Sequence, residues 1–462
     1  MTTPPQAPSR RSSHPMGALV ALLSAHAISQ TGNVVTAFAI PFYVLATGGS
    51  GVEVGIAAFF ATAPVVIGGP FGGVIVDRIG HHRASIIADL ISGIAVLAIP
   101  LAALGIGLPF WGLLALVFLA GILDTPGQTA RRVMLPRITA SAGIRIERSV
   151  GLLDGSERFA KLIGASIAGL LVAIVGPMAS LFVNAATFAV SALLTWRFVS
   201  AAQRQPALER PVGSGDTTAL SSTSYWGDLA EGFHWVTRDH LMKMIVGLVL
   251  ITNLFDAART SSLLPLYAHD RLGGAAALGL LVAVMGGCAL AGNVAFGFVA
   301  HKVPRRVTFA ICFALAGGPS SAAFALGAPF PVLIAVTALQ GLAAGAINPI
   351  LGAVQLERVP EHMRGRVFGL INAGAWAGMP LGAFLGGLAA DTIGLGLTFG
   401  IIAVLYTLVT LSPLSGGAWR EMERQQNPLP KVSPFSDGTP QPDPLPGPRT
   451  LNESHGIRDT GD

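Results

Sequence analysis

Twelve times along this chain the residues stay apolar for about twenty positions or more. A run of that length crosses a bilayer as a helix, because about 20 residues rising 1.5 Å each span a hydrocarbon core of roughly 30 Å. The runs fall at residues 17–46, 54–76, 84–105, 110–130, 151–175, 178–198, 243–267, 275–300, 306–326, 331–355, 366–390 and 395–414. In lipid the backbone must satisfy its own polar groups, so these runs predict an all-α membrane protein with 12 transmembrane helices. With 52% hydrophobic and 11% charged residues, a soluble fold would expose too much apolar surface. The polar start, residues 1–16, has no apolar stretch of its own, so the first run must target the chain. The break after the sixth run divides two lobes, 17–198 and 243–414. Between them lies a linker, 199–242, rich in Pro, Gly, Ser and Thr over 201–224. Aromatic and charged residues interleave over 226–243, which predicts an amphipathic helix lying on the membrane. The tail, 415–462, is Pro-rich and polar and reads as disordered.

Charge sets the orientation. Of the 29 Lys and Arg residues, all but Arg259 and Arg271 lie in the termini, in the even-numbered connections or at their helix ends. Arg131, Arg132, Arg137, Arg145 and Arg148 crowd the fourth connection. By the positive-inside rule both termini are cytoplasmic and the chain belongs in the cytoplasmic membrane. The net charge of +5 is no nucleic-acid footprint, since the basic residues sit in short loops. Cys288 and Cys312 lie in apolar runs and read as packing residues rather than a disulfide or metal pair. No G-x-x-x-x-G-K-[ST], H-E-x-x-H or G-x-S-x-G occurs, so neither ATP hydrolysis nor another enzyme activity is expected, and no cofactor or metal is called for.

The second and third runs are joined by a short charged turn, Gly73-x-x-x-Asp77-Arg78-x-Gly80-x-x-Arg83. A second stretch, residues 297–306, holds the equivalent position in the other half, with His301 in place of Asp77 and with Lys302, Arg305 and Arg306 following. The first turn resembles the loop 2–3 signature of the major facilitator superfamily of secondary transporters. The resemblance implies two six-helix lobes related by a pseudo-twofold repeat around a cavity near the bilayer midplane. It also implies a gate in which Gly73, Asp77, Arg78, Gly80 and Arg83 latch one face. Asp77 would face the positive N-terminal end of span eleven, with Arg131 or Arg132 near enough to pair with it. Lys302, Arg305 and Arg306 are the gate's counterparts in the second half.

Several further stretches resemble the drug-efflux branch that includes macrolide and siderophore exporters. They are Leu123-Asp124-Thr125-Pro126 with Arg131 and Leu135-Pro136, Asn184-Ala185 within 182–188, and Val359-Pro360 with Arg364-Gly365-Arg366-Val367. Residues 87–93 and 303–308 are most similar to actinobacterial Tap-like multidrug exporters. The implied function is export of amphipathic small molecules, drugs and antibiotics among them, by proton antiport. The implied partners are the small-molecule substrate, protons and the bilayer, and the implied state is a monomer. The branch carries Gly-Pro in span five where this chain has Gly164-Ala165, so the kink of that proline is not expected. Rival readings are a dedicated siderophore or lysophospholipid carrier of the same fold, a membrane enzyme, and a transport-inactive sensor.

Individual residues add candidates. Gly68/Gly72, Gly69/Gly73 and Gly382/Gly386 form G-x-x-x-G pairs that let helices approach, and the resemblance places spans two and eleven across the lobe interface. Asp89, just inside span three, is either part of the gate or a structural acid. Asp256 lies near the middle of span seven with Arg259 three residues on, either a proton-switchable site or a permanent ion pair. His26 is a further possible proton carrier or a packing donor. With Gln30, Asn33 and Thr36 it makes a polar stripe on span one, and Gln340, Asn348 and Asn372 are the counterparts in the second lobe. These line the cavity or bond other helices, and Thr36 can bond back to its own helix. Asp154, Glu157, Arg158 and Lys161 predict two i,i+4 pairs at the entrance of span five.

Overall fold

The computed structural model describes residues 15–105, 107–199 and 225–423, with the side chains of 15, 69–75, 77, 147, 225–230, 362 and 365 outside the described set. Segment 201–224 and everything after Glu423, the greater part of the expected linker and tail, fall outside it. So do the side chains of Gly69, Gly72, Gly73 and Asp77.

Among the described residues, twelve helices are long and apolar enough to cross a membrane. They are span 1, Met16–Ala46; span 2, Gly51–Gly68, within a helix running Gly51–Ile79; span 3, His81–Gly105; span 4, Phe110–Ala142; span 5, Arg148–Val175; span 6, Pro177–Val199; span 7, His240–Arg271; span 8, Ala275–Val299; span 9, Arg305–Ala325; span 10, Phe330–Arg358; span 11, Arg366–Ile393; and span 12, Leu395–Ser415. The expected tight turn between spans 2 and 3 is one residue, Gly80. Its φ of 89° is a conformation glycine adopts without the Cβ clash, and its N–H still bonds Val76 O at 3.0 Å.

Three boundaries differ from the sequence reading. Span 4 runs on to Ala142, so Arg131, Arg132 and Arg137 belong to a helix and not to the fourth connection. Arginine is a good helix former, and the helix simply outlasts its apolar portion. The helix expected over 226–243 runs Tyr225–Arg238 and stops at Asp239, whose side chain accepts the N–H of Met242 at 2.9 Å and starts span 7. The chain beyond Gly416 does not leave the fold at once. Residues Gly417–Met422 make a short helical turn that buries Trp419 and Met422, with the Trp419 ring against Phe309. Span 5 is one uninterrupted helix through Gly164 and Ala165, as the missing proline predicts.

The two halves pack by one rule. Span 1 lies against spans 5 and 6, span 2 against span 4, and span 3 against spans 4 and 6. Shifting each number by six gives the second half: span 7 against 11 and 12, span 8 against 10, span 9 against 10 and 12. The seams between halves obey the same exchange, since span 2 meets span 11 and span 5 meets span 8. This is a six-plus-six bundle with a pseudo-twofold axis between two lobes.

Both seams are built from glycine. Gly55 and Gly387 are so close that a methyl on either would strike the other's backbone, and Gly169 and Gly279 face each other in the same manner. A side chain forced into such a contact costs about 1–3 kcal/mol. The expected meeting of spans 2 and 11 is therefore found, on Gly55 and Gly387 rather than on Gly68, Gly382 or Gly386, while Gly69, Gly72 and Gly73 lie outside the described set. Gly382 and Gly386 turn inward to Leu254 and Ala258 of span 7, and Gly68 turns to Thr125 of span 4. Gly387 is one residue from Gly386, about 100° around the helix, which is the whole difference between facing its own lobe and facing the other.

Candidate functional site

Two clusters of charge are buried in the bundle, one in each lobe. In the first, Arg131 of span 4 points into the lobe with its side chain fully buried. Nη1 donates to both oxygens of Asp89 on span 3, at 2.8 and 3.0 Å. Nη2 reaches Ser29 Oγ at 3.5 Å and stands 3.7 Å from Asp124 Oδ1. Ser191 of span 6 donates to Asp89 Oδ2 at 2.7 Å. Asp124 Oδ2 accepts from Asn33 Nδ2 at 2.8 Å and Gln128 Nε2 at 2.6 Å. Asp124 Oδ1 is buried with no hydrogen bond. Two carboxylates share one guanidinium, and the elements that bring them together are spans 1, 3, 4 and 6.

Arg131 is thus engaged by Asp89 and Asp124 inside the first lobe, and the side chain of its expected partner, Asp77, is outside the described set. Arg132, the alternative, faces span 5 and pairs with Glu157 at 2.7 Å and Asp154 at 3.5 Å. Glu157 also takes the expected i,i+4 bond from Lys161 at 2.7 Å, but Asp154 has turned to Arg132. His26 is wholly buried on span 1, its Nε2 3.7 Å from Glu157 Oε2 and neither ring nitrogen hydrogen-bonded. Arg83 is exposed at the start of span 3, and Asp89 is committed to Arg131.

The second cluster sits midway along span 7. That span is α-helical over His240–Ala257, passes through a π-helical turn at Ala258–Leu263, and resumes over Leu264–Arg271. A π turn inserts a residue into the helical ladder and commonly marks a functional position. Here it carries Arg259. Nη2 donates to Asp256 Oδ1 at 2.9 Å and Nη1 to Ser320 Oγ of span 9 at 2.7 Å. Tyr406 of span 12 donates to Asp256 Oδ2 at 3.4 Å. The arginine side chain is 5% exposed and the aspartate 36%, so the acid opens outward from a buried base. The expected i,i+3 pair is present, and Ser320 and Tyr406 complete it.

The polar stripe is largely used for bonds between helices. Asn33 binds Asp124, Thr36 accepts from Asn184 of span 6 at 2.5 Å, and Gln340 donates to Met285 Sδ of span 8 at 3.5 Å. Thr36 does not bond back to its own helix. Gln30 is buried, and Asn348 and Asn372 are exposed. Of the gate residues, Arg78 is exposed in the last turn of the helix of span 2, and Lys302 is exposed in the turn before span 9. Arg305 makes a two-pronged pair with Glu357 of span 10 at 2.6 and 2.7 Å, and Arg306 lies 4.0 Å from Glu423. These join elements of the second lobe to each other.

Sequence reasoning singled out neither Asp124 nor Asp391 for a role. Asp124 carried a usable signal, an acid fourteen residues into an apolar helix, the same argument that found Asp256. Asp391 had none, lying two residues from the end of span 11.

Twelve spans in two pseudo-symmetric lobes, each with an ion pair inside it, define the class as a polytopic membrane protein. The chain belongs to the Major Facilitator Superfamily, whose family description matches residues 22–286 and 246–441. It is 31% identical over 405 residues to the multidrug efflux pump Tap of Mycobacterium tuberculosis, covering 87% of this chain and 94% of that one. It is 23% identical over 372 residues to macrolide efflux protein A of Streptococcus pyogenes, covering 80% and 88%. Among solved structures, a POT family transporter in complex with 5-aminolevulinic acid superposes with a TM-score of 0.66 at 15% identity, covering 88% of this chain and 96% of that one.

Proposed function

We propose that this chain is a secondary active transporter that moves amphipathic small molecules out of the cytoplasm, across the cytoplasmic membrane, in exchange for protons. The observation that carries the coupling is the Asp256–Arg259 pair. It sits at the seventeenth of the 32 residues of span 7, near the middle of the bilayer, with the carboxylate a third exposed and the guanidinium buried. An acid at that depth is costly unless paired or solvated, and this one is paired with Arg259. A proton arriving on Asp256 releases it from Arg259, and its departure restores the pair. The relatives' names, multidrug efflux pump and macrolide efflux protein, support the choice of cargo.

The protein works as a monomer, with both termini in the cytoplasm. The arginine-rich end, where the even-numbered connections gather, faces inward by the positive-inside rule. Gly73, Asp77, Arg78, Gly80 and Arg83 gate that end. The glycine seams support closure of the opposite end, since Gly55, Gly169, Gly279 and Gly387 all lie in the halves of their helices nearest it.

The test is uptake of a fluorescent amphipathic drug into inverted vesicles, with and without an imposed proton gradient. Gradient-driven uptake that falls at least about tenfold in Asp256→Asn supports the reading; a tenfold change corresponds to about 1.4 kcal/mol. Uptake that survives in the variant moves the coupling to Asp89, Asp124 or His26. No gradient-dependent movement of any drug in a panel favours a dedicated carrier or a sensor.

A further inference from the structure

The start of span 2 has more capping than a helix needs from its own lobe. A helix N-terminus leaves its first N–H groups without partners inside the helix. Here Ser50 and Glu53 form a capping box: Ser50 Oγ accepts the N–H of Glu53 at 3.2 Å, and Glu53 Oε2 accepts the N–H of Ser50 at 2.9 Å. That leaves the N–H groups of Gly51 and Val52. Both are taken by a residue of the other lobe. Asp391, near the end of span 11, accepts from Gly51 N at 2.9 Å on Oδ1 and from Val52 N at 2.7 Å on Oδ2. All four donors are thereby satisfied, two within the lobe and two across the seam.

The pseudo-twofold repeat supplies the control. At the equivalent seam, Gly169 of span 5 packs on Ala275 and Gly279 of span 8 as Gly387 of span 11 packs on Gly51 and Gly55 of span 2. Four residues after Gly387 stands Asp391; four residues after Gly169 stands Ala173. The helix beginning at Ala275 has no side-chain cap. The seam therefore packs without a carboxylate, and Asp391 adds something that packing does not require. A carboxylate on two backbone N–H groups at a helix start is a charge-assisted contact that forms and breaks with separation of a few ångströms. Glycines in the seam let the helices part without unthreading side chains.

We infer that Asp391 is the latch of the arginine-poor end. It holds spans 2 and 11 together while that end is closed and must let go of Gly51 and Val52 before that end opens. The arrangement complements the one the resemblance implies for Asp77, at the far end of the same antiparallel helix pair. Its place in a transport cycle rests on the proposed function; its effect on the distance between lobes does not.

The experiment measures that distance. Leu104 and Leu326 are exposed residues at the ends of spans 3 and 9, equivalent positions in the two lobes at the arginine-poor end. Spin labels at Leu104→Cys and Leu326→Cys, with Cys288 and Cys312 replaced by alanine, report separation by double electron–electron resonance in lipid. Asp391→Asn is expected to raise the ratio of long to short distances at least about threefold. Glu53→Gln, which removes a carboxylate from the same helix end but within one lobe, is expected to leave the ratio unchanged. Gly51→Ala, whose methyl would strike Asp391 Oδ1 and Gly387 O, is expected to shift it the same way as Asp391→Asn. An unchanged ratio in Asp391→Asn, or an equal shift in Glu53→Gln, overturns the latch. If the distances shift while no drug moves in vesicles, the latch stands and the export reading falls. If drug export is gradient-driven and the distances stay fixed, the export reading stands and the latch falls.

Discussion

The two lobes pack alike and hold charge differently. In the first, one fully buried arginine is shared by two carboxylates, Asp89 with its side chain fully buried and Asp124 at 7% exposed. In the second, one arginine faces one carboxylate, and that carboxylate is a third exposed. Three of the helices are equivalent: Ser29 and Asn33 on span 1 correspond to Asp256 and Arg259 on span 7, Asp89 on span 3 to Ser320 on span 9, and Ser191 on span 6 to Tyr406 on span 12, while span 4, which carries Arg131 and Asp124, has no counterpart in the second cluster. A buried charge is tolerated only when partners compensate it. The first lobe meets this with four donors around two acids, Arg131, Ser191, Asn33 and Gln128, which ties spans 1, 3, 4 and 6 together. The second leaves its acid one short ion pair, one long hydroxyl bond and a third of its side chain exposed. The difference separates a structural pin from a site that can change state.

The largest expected effect comes from removing the shared arginine. Arg131→Ala leaves two carboxylates with no cation, and losing one partner of a buried pair typically costs about 3–5 kcal/mol. Thermal unfolding of purified protein in detergent should show a collapse in melting temperature or in yield of folded protein. Arg259→Ala should cost less than half as much, because Asp256 can turn to solvent. Equal losses would erase the distinction between pin and site.

Next come the two acids of the first lobe, which the geometry ranks. Asp89→Asn removes the two-pronged partner of Arg131 and should destabilise by about 1.5–3 kcal/mol, the worth of a hydrogen bond to a charged group. Asp124→Asn keeps an oxygen for Asn33 and Gln128, loses only a 3.7 Å contact, and removes the surplus negative charge. It should fall within about 1 kcal/mol of the parent. Melting temperatures of the two variants side by side decide it, and a larger loss at Asp124 would mean that Asp124 anchors the cluster.

What could be read beforehand follows from how far a pattern reaches along the chain. Span length is local, and the twelve runs matched the helices closely. Asp256 and Arg259 are three residues apart and pair on one helix, so their contact was legible. Arg131 and Asp89 are 42 residues apart, and only the packing of spans 3 and 4 brings them together. Near the end of a helix, an arginine that points outward to water and one that points into the lobe look identical in sequence. The glycines failed for a related reason. With 57 of them, the spacing selects a helix but not a face, and Gly386 and Gly387 fall on opposite sides of that choice. Trp419 was lost in a polar stretch because a single aromatic has no periodicity to reveal its partner, Phe309.

The smallest effect tests the hydroxyls at equivalent places on spans 6 and 12. Ser191 donates to Asp89 at 2.7 Å, and Tyr406 to Asp256 at 3.4 Å. Ser191→Ala leaves Asp89 Oδ2 with only its bond from Arg131, and should cost about 0.5–1.5 kcal/mol of stability while leaving the transport rate of folded protein unchanged. Tyr406→Phe keeps the ring packed against Phe255 and gives up only a long bond. It should cost no more than about 0.5–1 kcal/mol. If Asp256 works through Arg259, drug uptake in vesicles should stay within about threefold of the parent. If Tyr406→Phe instead abolishes gradient-driven uptake as Asp256→Asn is expected to, the hydroxyl is part of the proton's path. The second lobe would then carry a three-residue site in which the long bond shortens at another stage of the cycle.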